Sequence, residues 1–245
     1  NPETLEPRIT VLGTAIWSDE DCVDDAVSDT GITGICGSGI IEALGEMYLT
    51  GLITADGVID GNLASRTERV EADGRTFKYR ITDTVTILQN DIRAIQLAKA
   101  ALHAGFKLLM DKMRIKTVDR VVLAGAFGTH IDPKYAMVLG MVPDCALPNV
   151  VAAGNSAGAG ARMALLNTDA RVSIEQTVRR IEKIETAVEA DFQDHFVRAM
   201  AFPHKTDPYE KLSAAVSLPL RDLTDNVPSA EPSGRRRSQR RFRRA

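Results

Sequence analysis

Apolar positions recur in steps of three and four through residues 90–113, "NDIRAIQLAKAALHAGFKLLMDKM", where Ile92, Ile95, Leu102, Phe106, Leu109 and Met113 form one stripe. That is the period of a helix with one buried face, so the spacing predicts a long amphipathic helix capped by Asn90 or Asp91. A second helix is predicted within 32–52, behind a glycine-rich entry. There Ile40, Ile41, Leu44, Met47 and Tyr48 keep helical spacing and Gly51 supplies a stop. Residues 68–82, "ERVEADGRTFKYRIT", alternate instead, in two runs joined by Asp73-Gly74, the turn pair of a hairpin. "RITVLGT" (8–14) alternates well enough for a further strand.

Two runs follow neither period. "VVLA" (121–124) and "NVVAA" (149–153) are short and continuously apolar, and each stops on glycine, in "GAFG" (125–128) and in "GNSAGAGARMALL" (154–166). Strand, turn and helix twice within 50 residues, with a short helix near Pro133–Leu139 between them and a long helix before, predict an α/β layer architecture. Strands 121–124 and 149–153 are expected to be neighbours in a mixed sheet flanked by the helix 90–113. Residues 173–202 read as mostly helical, with a strand-like alternation in "KIETAV" (183–188). From about Thr206 the pattern fades, which sets an expected domain of 1–205 and a flexible tail of 206–245.

The glycines carry the first chemical question. Gly125 and Gly128 remove the side chains that would hold another group away from the main chain, which serves either a tight turn or a ligand lying on the backbone. In an open α/β sheet the ligand crevice lies at the carboxyl ends of the strands, and both glycine turns fall there. That convergence favours ligand contact at Gly125 and Gly128; Ala126, Phe127, Gly154 and Asn155 are candidates beside them, although Asn155 also suits the cap of the helix it begins. Lys99 interrupts the long helix's apolar stripe. A lysine there either snorkels out or meets an anion.

Composition narrows the classes. At 245 residues and 44% hydrophobic the chain can bury a core. Its longest apolar runs fall far short of the roughly 20 residues of a membrane span. It opens on Asn1 without a methionine, so a fragment or processed piece is expected. Cys22, Cys36 and Cys145 are scattered without a CxxC, which suits reduced thiols in a cytoplasm. Cys36, beside Gly37 and Gly39 at a helix entry, is expected to be structural. Seven arginines crowd the last eleven residues, "RRRSQRRFRRA", and removing them takes the net charge from −3 to −10. The body is acidic and the tail a basic arm, for which non-specific contact with nucleic acid is the most that composition suggests.

Familiar catalytic motifs fail. "GSGIIE" (37–42) has Glu42 where a dinucleotide fingerprint needs its third glycine, and P-loop and HExxH patterns are missing from the sequence. The four histidines share no spacing.

Four blocks, in order, carry a resemblance: "TGICGSGIIEAL" (33–44), "LQNDIRAIQLAKAALHAG" (88–105), "VVLAGAFGTHID" (121–132) and "VAAGNSAGAGARMALL" (151–166). They resemble the ATP-dependent reductive activators of corrinoid proteins, in the acetate and sugar kinase/heat-shock cognate/actin superfamily. "DFQDHFVRAMAFPH" (191–204) is similar to that family's closing segment. The resemblance implies an RNase H-like actin/sugar-kinase-type ATPase lobe. It further implies ATP with Mg²⁺ between two lobes, and an upstream [2Fe–2S] domain whose electron returns Co(II) corrinoid to Co(I). The partner it implies is a corrinoid protein or corrinoid-dependent methyltransferase, with a homodimer as a further association. In these terms Val121–Gly128 resembles the adenosine motif, Gly154–Ala161 a lobe-connecting helix, and Lys99 a lysine approaching the ribose.

The departures are as informative. The Asp-Gly-Thr phosphate turns and the iron–sulfur cysteines of such proteins have no counterpart in this sequence, since Gly-Thr occurs only at Gly13-Thr14 and Gly128-Thr129 without a preceding Asp. The chain therefore resembles the adenosine half of a site and by itself is expected to be inactive. The competing readings are a lobe of another kinase-type or activator ATPase, and a non-catalytic interaction or dimerisation lobe.

Overall fold

The computed structural model describes residues 1–14, 16–20 and 31–219. Helix α1 (Gly37–Leu49) begins where expected, with the Cys36 thiol accepting from the Gly39 N–H, and buries Ile41, Leu44, Met47 and Tyr48. The hairpin forms as β1 (Val70–Asp73) and β2 (Thr76–Arg80), and β3 (Thr86–Leu88) adds to β2 to complete an antiparallel sheet. Helix α2 (Gln89–Lys112) follows at once, its start fixed by Asp91 Oδ2, which accepts from the Leu88 N–H at 2.8 Å.

After α2 the chain enters β4 (Val121–Ala124), turns through α3 (Ala126–His130) and α4 (Pro133–Val138), and returns as β5 (Val150–Gly154). β4 and β5 pair in parallel, Val121 opposite Val150 and Leu123 opposite Ala152. They are neighbours as the sequence implies. The described strands nevertheless fall into two sheets instead of one mixed sheet, the β1–β2–β3 meander standing apart from the β4–β5 pair. Helices α5 (Ser156–Leu166) and α6 (Thr168–Val178) come next, then α7 (Phe192–Arg198) packed along α2, with His195 Nε2 3.0 Å from Asp111 Oδ2. The architecture is α/β with helices flanking its sheets.

Three expectations need correction. Among the described residues, 8–14 form a single bridge, from Thr10 to Trp17, in place of a strand, with the Arg8 guanidinium 4.3 Å above the Trp17 ring. "KIETAV" holds a short 3₁₀ turn at Thr186–Val188, since alternation without a pairing partner does not make a strand. The chain also packs beyond residue 205. Helix α8 (Glu210–Ala215) buries Leu212, and Tyr209 before it donates from its buried hydroxyl to the Val142 carbonyl at 2.7 Å. Asp144 accepts from the Lys211 and Leu212 N–H groups and so fixes the start of α8. Proline and acidic residues disguised this anchor as a tail. The basic arm lies outside the described residues.

Candidate functional site

The two glycine turns meet. The Gly125 N–H donates to the Gly154 carbonyl at 2.9 Å, so the ends of β4 and β5 open on one side of the sheet. Gly125 (φ +107°) and Gly154 (φ +68°) both adopt left-handed backbone that side chains disfavour, and a Cβ added at either would meet nothing within 4 Å. The glycines are thus required by the turn and leave open space in front of it. Parallel strand ends with bare backbone are where α/β sheets receive ligands.

The neighbouring residues have more ordinary employment. Gly128 lets the α3 turn approach β4, for a Cβ there would sit 3.1 Å from Leu123 Cβ. Asn155 caps α5, its Oδ1 accepting from the Gly158 N–H at 2.9 Å. Thr129 Oγ1 donates back to the Gly125 carbonyl and stiffens the turn. Phe127, half exposed, lies over the first turn of α1, where a Cβ on Gly37 would be only 2.8 Å from its ring. Gly37 therefore brings α1 up to the turn through Phe127, a contact that no single-element pattern predicted. Cys36 beside it has its thiol pKa lowered by hydrogen bonds with Ser38 and the Gly39 N–H. The backbone of Ala126 begins α3 directly after Gly125.

Lys99 has a different fate from either expectation. It is 1% exposed, and its ammonium donates to the carbonyls of Ala201 at 2.5 Å and Pro203 at 2.8 Å, with the Phe202 ring beneath it at 5.3 Å. The lysine does not snorkel, and its described hydrogen bonds go to backbone carbonyls. It ties the closing segment to α2, and the expected approach to a ribose gives way to this structural role.

Lys99 is one step of a polar row. The inward face of α2 carries Ile92, Gln96, Lys99, His103 and Leu108, while Leu102, Leu109 and Met113 of the expected stripe are at least half exposed. Gln96 donates to the carbonyls of Asp56 and Met200. His103 Nδ1 donates to the Gly140 carbonyl at 3.0 Å, and its ring stacks on His204 at 4.5 Å. Burial holds both imidazoles well below their usual range, His103 at about 4. The helical period was right and its phase was wrong, because buried polar side chains satisfied by carbonyls are invisible to a hydrophobic count.

His103, His204 and Asp207 are the described residues whose grouping suits a metal ion. The donor set does not fit one. His204 Nδ1 already accepts from the Thr206 and Asp207 N–H groups, and the Lys107 ammonium stands 3.4 Å from Asp207. The cluster reads as a neutral latch on the closing segment. An iron–sulfur cluster does not fit either, as three scattered cysteines fall short of four ligands.

Comparison with known proteins decides the family. Residues 1–213 match the model described as the C-terminal domain of RACo, the ASKHA domain. The chain belongs to this family. It is 30% identical over 191 residues to the corrinoid activation enzyme RamQ of Eubacterium limosum, covering 72% of this chain and 32% of RamQ. It also superposes on a solved structure, a reductive activator for corrinoid, iron-sulfur protein, with a TM-score of 0.62 and 30% identity, covering 69% of this chain and 28% of that one. The chain thus spans about a third of the length of these relatives. The family brings the actin/sugar-kinase-like ASKHA fold expected of the four blocks. Among the described residues no helix is long and apolar enough to cross a membrane.

Proposed function

We propose that this chain is the nucleotide-binding lobe of an ATP-dependent reductive activator that returns Co(II) corrinoid proteins to Co(I). The observation that carries the proposal is the pair of open glycine turns, joined from Gly125 to Gly154 at the carboxyl ends of parallel strands, in a chain of the corrinoid-activator ASKHA family. The bare backbone of 125–128 and 154 would face adenosine, with Phe127 offering a flat apolar surface beside it. Bound ATP with Mg²⁺ would supply the free energy that accompanies electron delivery, and a [2Fe–2S] domain outside this chain the electron. This chain's own part is to bind and orient the nucleoside. Its partner is a corrinoid protein or corrinoid-dependent methyltransferase.

The sequence lacks phosphate turns, and that sets the test. Most affinity for ATP comes from phosphates and their Mg²⁺, so a one-sided adenosine site should bind with a dissociation constant on the order of a millimolar or weaker. Isothermal titration of the 245-residue chain should give about equal affinities for ATP and adenosine, and phosphate release should be undetectable. Micromolar ATP binding would reveal a phosphate site in this chain and defeat the half-site reading. No binding of either ligand, with the fold intact, would favour a non-catalytic interaction lobe.

A further inference from the structure

Two aromatic rings on the connection from β4 to β5 rest on glycines of α1. Phe127 of α3 lies on Gly37, where an added Cβ would meet the ring's Cε2 at 2.8 Å. Tyr135 of α4 lies on Gly45, where an added Cβ would meet Cδ1 at 2.5 Å and the tyrosine's own Cβ at 3.2 Å. Neither glycine has a positive φ. Alanine would fit the backbone at both and favour the helix, so what each glycine supplies is room for a ring. The two contacts differ in kind. Tyr135 is met near the root of its side chain, and its hydroxyl donates to Glu46 Oε1 at 2.5 Å, which fixes α1 against α4. Phe127 is met at its tip and is 54% exposed, so its ring can move aside at little cost to the fold.

A half-exposed ring seated beside an open glycine turn suits a ligand better than a core. We propose that Gly37 is a positioning residue for the nucleoside site: by lacking a side chain it seats the Phe127 ring against α1 and leaves the ring's free side as a platform on which the base stacks. Both halves of the device are held. Leu44 and Tyr48, 0% and 1% exposed, anchor α1, and Thr129 Oγ1 donates to the Gly125 carbonyl at 3.1 Å to stiffen the turn that carries the ring. A methyl group at position 37 pushes the ring away from α1, and stacking depends on the offset and tilt of the two planes. A platform of this kind reads the face of a base and not its edge, so a purine gains more from it than the smaller pyrimidine. This inference rests on the nucleotide-binding reading above, and adds the residue that sets the geometry of its base subsite.

NMR titration of the 245-residue chain with ATP and with UTP tests it, beside urea unfolding of each variant. The unsubstituted chain should bind ATP more tightly than UTP. Gly37→Ala should weaken ATP binding at least fivefold and shrink the preference over UTP, while its urea midpoint stays unchanged or rises. Phe127→Leu should weaken ATP binding likewise. Adding Gly37→Ala to Phe127→Leu should then change the affinity less than twofold, because no ring remains to be displaced. ATP affinity within twofold in Gly37→Ala, or an equal loss in both backgrounds, would overturn the inference and leave the nucleotide reading standing. A lowered urea midpoint in Gly37→Ala would also overturn it, by assigning the glycine to the core. No ATP binding by the unsubstituted, folded chain would sink the nucleotide reading, and this inference with it.

Discussion

The two helices α2 and α5 begin under similar instructions and end in opposite states. Both have a polar side chain fixing the first turn, Asp91 in α2 and Asn155 in α5, and carry apolar residues at helical spacing. α2 buries seven of its residues and holds the closing segment, whereas α5 buries none. The difference lies in what the chain brings to each. α2 meets 199–207, whose carbonyls accept from its lysine and glutamine, and α7 besides. Among the described residues α5 packs chiefly on α6. The part of the molecule that is internally complete is therefore the scaffold, and the part carrying the glycine turns is the part left open. A binding site that needs a second lobe would be distributed in this way.

The sharpest way to break that contrast is to remove the charge that ties α2 to the closing segment. Lys99→Met keeps the length of the side chain but leaves two buried carbonyls without a donor. Each unsatisfied group costs about 1–3 kcal/mol, so urea unfolding should show a loss on the order of 3 kcal/mol or more. If Lys99 served the nucleotide instead, stability would hold and only ligand binding would fall.

Acid should act on the same region, slightly less. The folded state keeps His103 neutral with its pKa near 4, while the unfolded imidazole titrates near 6.5. A folded pKa that is depressed gives stability present above the unfolded value and lost as pH falls towards the folded one. Stability should therefore drop between about pH 6.5 and 4, by at most about 3 kcal/mol for this group. His103→Gln should flatten that limb of a pH–stability curve. A curve unchanged by the substitution would mean that the imidazole is not buried neutral.

How much of this could be seen beforehand divides along the same line. The helices at 37–49 and 89–112, the hairpin, the two apolar strands and their neighbour relation were legible, because each follows a local period or a turn pair. The convergence of Gly125 and Gly154 was legible too, as it follows from strand topology alone. Illegible were the contacts that join distant segments by polar groups. Lys99 to residues 201 and 203, His103 to His204, and Asp144 to the start of α8 all span more than sixty residues. A hydrophobic count reads such side chains as surface, so it rotated α2 and cut the fold short at 205.

On the open side the expected effects shrink. Asn155→Ala removes a cap whose only seen duty is the start of α5, and helix caps are worth typically about 1 kcal/mol. Thermal unfolding should shift by that amount, and adenosine affinity should fall with it only if the side chain also faces the ligand. A loss of adenosine binding larger than the loss of stability would move Asn155 from cap to contact.

The smallest effect is the most telling for the comparison. Leu165 is 76% exposed, on a helix with no buried residue, so Leu165→Ser removes little that is packed in the isolated chain. A surface substitution of this kind lies within about 0.5 kcal/mol, and urea unfolding should scarcely register it. The same change at an α2 position such as Leu108, 4% exposed, should cost about 2–5 kcal/mol by leaving a cavity and a buried hydroxyl. If Leu165→Ser proved as damaging as Leu108→Ser, α5 would be packed within the chain itself, by residues beyond those described. The open half would then not be open, and its glycine turns would face the chain's own cover before any ligand.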